Sequence, residues 1–269
     1  MPPGGAARWR HLRLSLGRGA QAGTAAARGP GVNGTPTPTP GLDWNAIAGE
    51  LEAEGHAVLE GLLAPTHRQA LIAAIDDRHR DGPDIARPSW SLRRTVATPG
   101  RGELFAFDPE PPDFLRIWRD DFHRHLAPLA TRWRQLLRPA DTDRPAAGPA
   151  IPARPHDASA RLDRLRAGDA IGLHRHADDA DAAAFRLVLL LSEPGSDFTG
   201  GELVCVEQRP RMQSRPAVVP LRSGDAALIC TTRPIRGARG PYPGRLRQAI
   251  SRVHGGTRIG LALSLDGAP

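Results

Sequence analysis

Two histidines separated by one residue could do chemistry together. His174 and His176 follow a turn at Gly168 and Asp169. On a strand, side chains two positions apart point to the same face, so both imidazoles could ligate one metal ion. Two partly exposed histidines at the end of a strand would give the same short pattern, and the motif alone leaves both interpretations open.

A glutamine and an arginine near the C-terminus form a second candidate pair. Gln248 and Arg258 flank Gly255 and Gly256, which predicts adjacent antiparallel strands that bring the two side chains together. Arginine is well suited to bind a carboxylate through two parallel hydrogen bonds. Arg258 begins an apolar stretch over 259–265, which favours burial with a partner over a position on the surface.

The elements that must position these residues fall into a helical half and a strand-rich half. Helices are predicted over 44–55, from Pro65 to a stop at 81–83, and over 113–137, where the apolar side is expected to pack against a sheet. Gly200 and Gly201 predict a hairpin turn. Strands are predicted over 160–166, 170–174, 185–192, 201–207, 217–221, 226–231, 245–251 and 257–265. This order predicts an α+β fold with helices against a β-sandwich or barrel.

Charge and composition exclude several classes of protein. The net charge of +7 arises from 36 cationic and 29 acidic residues, and five arginines without an acid lie in residues 1–42. This segment, with Thr-Pro repeats over 35–40, is predicted to be a disordered tail, although an organelle transit peptide has a similar composition.

The chain has no apolar run long enough for a membrane-spanning helix. Cys205 and Cys230 are expected to be free thiols in a cytoplasmic protein.

A basic C-terminal half raises the question of nucleic acid. The stretch 208–265 contains eleven arginines and one acid, Asp225. Such a bias could steer an anionic substrate. Binding to bases also needs aromatic side chains for stacking, and Tyr242 is the one aromatic residue in this stretch. Nucleic acid is therefore not the favoured partner.

The candidate residues, taken in order, resemble one known family, the Fe(II)/2-oxoglutarate oxygenases, and most closely a bacterial group akin to prolyl 4-hydroxylases. The features that carry the resemblance are His174-X-His176, Gly200-Gly201-Glu202, Gln248 and Arg258. It extends over 190–195, 197–202, 207–215, 219–225, 233–237 and 246–258, and more weakly over 43–137. The resemblance implies a double-stranded β-helix, or jelly-roll barrel, at 159–266, with helical support at 43–137 and a Pro-rich loop at 138–158. Residues 43–269 would then form one oxygenase-like domain.

The resemblance also implies a site. In that family a His-X-Asp pair and a distal histidine hold Fe(II), and a basic residue binds the far carboxylate of 2-oxoglutarate. His174 matches the first ligand and Arg258 matches the carboxylate-binding residue. His176 stands where the family has aspartate, and Gln248 stands where it has the distal histidine. Leu165 replaces a tyrosine that commonly lines the 2-oxoglutarate pocket.

These departures leave two functions open. Imidazole and an amide oxygen can both ligate iron, the amide more weakly, and Asp178, Asp179 or His254 could be recruited as further ligands. The chain is then an Fe(II)/2-oxoglutarate-dependent dioxygenase that oxidises a small molecule or a side chain. The alternative is a catalytically inactive jelly-roll relative that binds a ligand or partner. A zinc site at His174 and His176 lacks further ligands with recognisable spacing.

Overall fold

Three helices form in the described part of the N-terminal half of the chain. The computed structural model describes residues 41–75, 91–95, 100–108, 110–137, 160–175, 185–210 and 212–265. The helices are α1 (Trp44–Glu54), α2 (Pro65–Ile75) and α3 (Asp113–Leu136). The predictions over 44–55 and 113–137 are confirmed, whereas the predicted end of the second helix at 81–83 and the loop 138–158 lie outside the described residues. No helix in the described ranges is both long and apolar enough to cross a bilayer.

The strands form two antiparallel sheets, named here the major and the minor sheet. The major sheet contains β1 (His56–Leu59), β2 (Ser91–Thr95), β4 (Glu103–Asp108), β5 (Ala160–Arg166), β7 (Phe185–Leu190), β8 (Phe198–Gly200), β11 (Ala226–Cys230) and β14 (Val253–Ser264). The minor sheet contains β3 (Gly100–Arg101), β6 (Ala170–His174), β9 (Leu203–Gln208), β10 (Arg215–Val219), β12 (Thr232–Gly237) and β13 (Gly240–Ile250).

Eight of these strands have the connectivity of a double-stranded β-helix. The major sheet runs β11-β7-β14-β5 and the minor sheet runs β10-β9-β13-β6. The chain passes from β5 to β6 and on to β7, crossing between the sheets at each step, and crosses again from β13 to β14. This alternation produces a jelly roll with two facing sheets. It confirms the predicted fold class, although the two sheets do not join into one closed hydrogen-bonded barrel among the described strands.

The outer face of the major sheet is covered by α3. Phe122 and Trp133 of this helix are fully buried, and the Trp133 ring lies 5.7 Å from the Phe185 ring of β7, measured between centroids. Trp44 of α1 makes an edge contact with Phe122 at a centroid distance of 5.1 Å. The predicted packing of this apolar helix against a sheet is therefore confirmed. It leaves the opposite face of the major sheet to line the space between the sheets.

The predicted hairpin at Gly200 and Gly201 is wrong. These glycines join β8, which pairs with β14 of the major sheet, to β9 of the minor sheet. Both have positive φ, 70° and 65°, so the sequence signal for an unusual backbone is real. What it marks is a crossing between sheets, which a local pattern does not distinguish from a hairpin.

The packing of α3 gives a stability prediction. Phe122→Ala removes a fully buried ring between α1, α3 and the sheet, and such a change typically costs about 3–5 kcal/mol. Leu136→Ala on the same helix, where the side chain is 47% exposed, should change the unfolding free energy by less than about 0.5 kcal/mol. Urea unfolding followed by circular dichroism measures both. Equal effects of the two variants would contradict the described packing.

Candidate functional site

The imidazole of His174 and the amide of Gln248 meet between the two sheets. The residues are directly paired across β6 and β13, which places their side chains on the same face of the minor sheet. His174 Nε2 lies 3.5 Å from Gln248 Nε2. The strand register therefore brings these two candidate ligands close together.

The protonation state of His174 follows from its surroundings. Its Nδ1 lies 2.9 Å from the carbonyl oxygen of Gly172, and because a carbonyl only accepts, Nδ1 donates. Burial lowers the pKa of His174 below its ordinary value, and the positive charges of Arg186 and Arg161 lower it further against the opposing effect of the Gly172 bond. At neutral pH the imidazole is therefore uncharged, with an unprotonated Nε2 facing Gln248.

The Gln248 amide is buried with one end unsatisfied. The residue is 8% exposed, and its Oε1 has no hydrogen-bond partner within the described part of the chain. A buried carbonyl oxygen without a donor is costly. Half a rotation of the amide would turn this oxygen toward the imidazole lone pair, and a cation could then be bound by both atoms. His174 Nε2 and Gln248 Oε1 could therefore supply two of the ligands of a divalent metal ion.

Other candidate ligands do not complete a metal cluster among the described residues. No group of three His, Cys, Asp or Glu side chains with metal-binding geometry occurs there. His176, Asp178 and Asp179 lie outside the described ranges. His254 is exposed and is absent from the residues that line the cavity beside His174.

That cavity is small and basic on its polar side. Its volume is about 30 Å³, room for roughly one or two water molecules. Its polar lining consists of Arg161, Asp163, His174, Arg186 and Gln248. A five-carbon dicarboxylate needs more space than this, so its binding would require the lining side chains to move.

Gln248 and Arg258 do not lie on paired strands, so the prediction of adjacent antiparallel strands for the two is wrong. Gln248 lies on β13 of the minor sheet and Arg258 on β14 of the major sheet. Two residues, Ser251 and Arg252, separate these strands and carry the chain from one sheet to the other. The predicted burial of Arg258 is correct, since only 1% of the residue is exposed.

The partner of Arg258 is a residue that sequence reasoning missed. Its Nη1 donates to the two carboxylate oxygens of Asp163 at 3.3 and 3.2 Å, and its Nε donates to the Gly201 carbonyl at 3.0 Å. Leu165, the predicted replacement for a pocket tyrosine, is fully buried and is the cross-strand neighbour of Arg258 on β5. The guanidinium already binds a carboxylate of this chain, so the described residues do not fit 2-oxoglutarate in the manner that the resemblance implies.

The fold is the double-stranded β-helix of the Fe(II)/2-oxoglutarate oxygenases, and the comparison with known families shows the family. Residues 102–268 match the model of the Oxygenase-NA family, described as "Oxygenase, catalysing oxidative methylation of damaged DNA". The chain belongs to this family.

Individual relatives are more distant. An uncharacterised protein of Mycobacterium tuberculosis, matched in two strains, is 39% identical over 79 residues, which is 29% of this chain and 34% of that protein. The chain thus matches about a third of the length of these curated relatives. A Pseudomonas putida prolyl-4-hydroxylase is similar in structure at 13% identity and a TM-score of 0.47, covering 82% of this chain and 97% of that one. A 2OG-Fe(II) oxygenase family oxidoreductase of Burkholderia pseudomallei has 13% identity and a TM-score of 0.44, with coverages of 85% and 92%.

The lowered pKa of His174 can be tested by titration. We expect the imidazole to titrate below its ordinary value of 6.5. Because the unfolded chain then binds the proton more readily, this group makes the protein less stable as pH falls from 6.5 toward the folded-state pKa. Long-range ¹H–¹⁵N spectra of the histidine rings measure the midpoint, with His174→Gln to assign the signal. A midpoint at or above 6.5 would contradict the described environment.

Proposed function

We propose that the chain is a metal-dependent oxygenase that holds Fe(II) with His174 and Gln248, with His176 as the third ligand. The observation that supports it is the neutral imidazole Nε2 facing a buried amide whose Oε1 has no partner among the described residues. When bound, iron would supply the activation of dioxygen for oxidation of a substrate. Family membership supports the reaction class.

The residues around His174 favour binding of a cation at its Nε2 atom. The Gly172 carbonyl fixes the proton on Nδ1 of His174, so the lone pair of Nε2 is free to ligate. Since the imidazole is uncharged at neutral pH, a metal does not have to displace a proton from it. Ile171, Val188 and Leu203 line the cavity beside His174 with apolar side chains.

A catalytically inactive relative is the second candidate. The observation that favours it is the pairing of Arg258 with Asp163, which places a carboxylate of the chain on the predicted cosubstrate residue. The carboxylate that lines the cavity together with His174, that of Asp163, is already paired with Arg258, while Arg161 and Arg186 place positive charge near His174. Both features weaken binding of Fe(II) and 2-oxoglutarate.

Metal titration separates the two candidates. We expect anaerobic Co(II), a visible-absorbing substitute for Fe(II), to bind the wild-type protein, and His174→Ala to weaken binding by about tenfold or more because a first ligand is lost. His254→Ala, which removes an exposed histidine outside the cavity, should bind like wild type. The oxygenase proposal is abandoned if wild type shows no ligand-field band at millimolar Co(II). If His176→Asp with Gln248→His then creates the band, the inactive relative is the correct candidate.

The substrate class is a further proposal. The family description names damaged DNA for the oxygenases that it covers. In this chain, part of the positive charge of the stretch 208–265 does not lie free on the surface. Arg233 and Arg258 are buried, and Arg209 and Arg233 pair with Glu207. Other arginines of this stretch are exposed, but Tyr242 is the one aromatic residue in its sequence that could stack on a base. We infer that the substrate is a small molecule or a side chain and that contact with DNA is non-specific.

Binding to DNA tests this inference. We expect a single-stranded oligonucleotide to bind weakly at low salt, with an affinity that falls steeply as salt rises, because phosphate contacts release counterions. One methylated base in the oligonucleotide should leave the affinity unchanged. Fluorescence anisotropy over a range of salt concentrations measures both. Tight binding that persists at physiological salt and prefers the methylated strand would overturn the inference and favour a DNA substrate.

A further inference from the structure

A largely buried carboxylate faces a buried guanidinium in the major sheet. The Arg258 side chain is 1% exposed and that of Asp163 is 13% exposed. Gly260 is the cross-strand partner of Asp163, and Arg258 lies two positions before it on β14, so all three are on one face of the sheet. That face points into the space between the sheets, since Asp163 lines the cavity together with His174 and Gln248.

Two glycines make the space in which this pair sits. A Cβ atom on Gly260 would lie 2.4 Å from Asp163 Oδ2 and 2.8 Å from Arg258 Nη1, closer than non-bonded atoms approach. A Cβ atom on Gly201 would lie 3.0 Å from Arg258 Cδ, and its carbonyl accepts from Nε. The backbone is therefore shaped around a guanidinium and one carboxylate.

We propose that Asp163 is a built-in occupant of a carboxylate-binding site at Arg258. By resemblance to the family, Arg258 would bind the far carboxylate of 2-oxoglutarate. In this chain the carboxylate of Asp163, on β5, takes that place. Asp163 is then the residue that determines specificity, because a dissolved carboxylate gains access to Arg258 only when the Asp163 side chain is absent or displaced. The proposal concerns the same pocket as the proposed oxygenase function but requires no metal, so the two can fail separately.

Chemical rescue by small carboxylates tests the proposal. Asp163→Ala leaves a gap of about the size of acetate beside Arg258, and we expect acetate and 2-oxoglutarate to raise its melting temperature saturably in metal-free buffer with EDTA. Wild type and Asp169→Ala should show no such shift, because Asp169 lies on the turn after β5 and bonds the Arg166 amide instead. Calorimetric titration should give 2-oxoglutarate an affinity for Asp163→Ala about tenfold or more above that for wild type.

Two further variants keep the test decisive. Asp163→Asn removes the charge that holds this side chain on Arg258, so 2-oxoglutarate can displace it and should stabilise this variant as well. The asparagine variant serves as the test if the alanine variant does not fold. Adding Arg258→Met to either variant should abolish the rescue. Saturable binding of 2-oxoglutarate to metal-free wild type at the affinity of the variants would overturn the proposal. It is also overturned if a folded Asp163 variant responds to no carboxylate, which leaves the pair a purely structural ion pair.

Discussion

The burial of Arg258 constrains the rest of the pocket. A guanidinium stays charged at any pH that a folded protein tolerates, so at 1% exposure it needs a charged acceptor. Asp163 provides one from a strand 95 positions earlier, and the Gly201 carbonyl provides another acceptor from 57 positions earlier. One side chain thereby fixes β5, the β8–β9 crossing and β14 relative to each other. Removing either charge while leaving the other buried would cost about 3–5 kcal/mol.

The same constraint gives the jelly roll its unusual interior. The outer face of the major sheet is apolar under α3, whereas its inner face carries Arg161, Asp163, Arg186 and Arg258. Burial lowers the pKa of the facing His174, and the charges of Arg186 and Arg161 act in the same direction, so the imidazole is neutral. A neutral imidazole is suited to bind a metal, whereas the two arginines oppose the positive charge of that metal. The pocket therefore combines two potential metal ligands, His174 and Gln248, with arginines that favour anions. Family membership supplies the reaction class, and at the proposed metal site this balance would set the affinity for iron.

Much of the fold could be predicted because its signals are local. The bounds 160–166 and 170–174 agree with β5 and β6, and the aromatic helix over 113–137 agrees with α3. The strands β2, β4 and β12 were not predicted, since their short mixed-polarity sequences do not reveal the strands with which they pair, β2 with β4 and β12 with β13. The misplacement of Gln248 relative to Arg258 has a related cause, because a short connection looks the same whether it joins paired strands or facing sheets. Arg161 and Asp163 alternate with Ala160 and Leu162 as in a strand with one face in water, but here that polar face lines the interior.

A crystal structure of the protein grown with Mn(II) and 2-oxoglutarate at millimolar concentration would show whether His174 and Gln248 can bind a metal while Arg258 remains bound to Asp163. We expect metal density within bonding distance of His174 Nε2 and the Gln248 carbonyl oxygen, with the Arg258–Asp163 pair intact. A 2-oxoglutarate carboxylate on Arg258 with Asp163 displaced, or no metal at His174 and Gln248, would contradict this expectation.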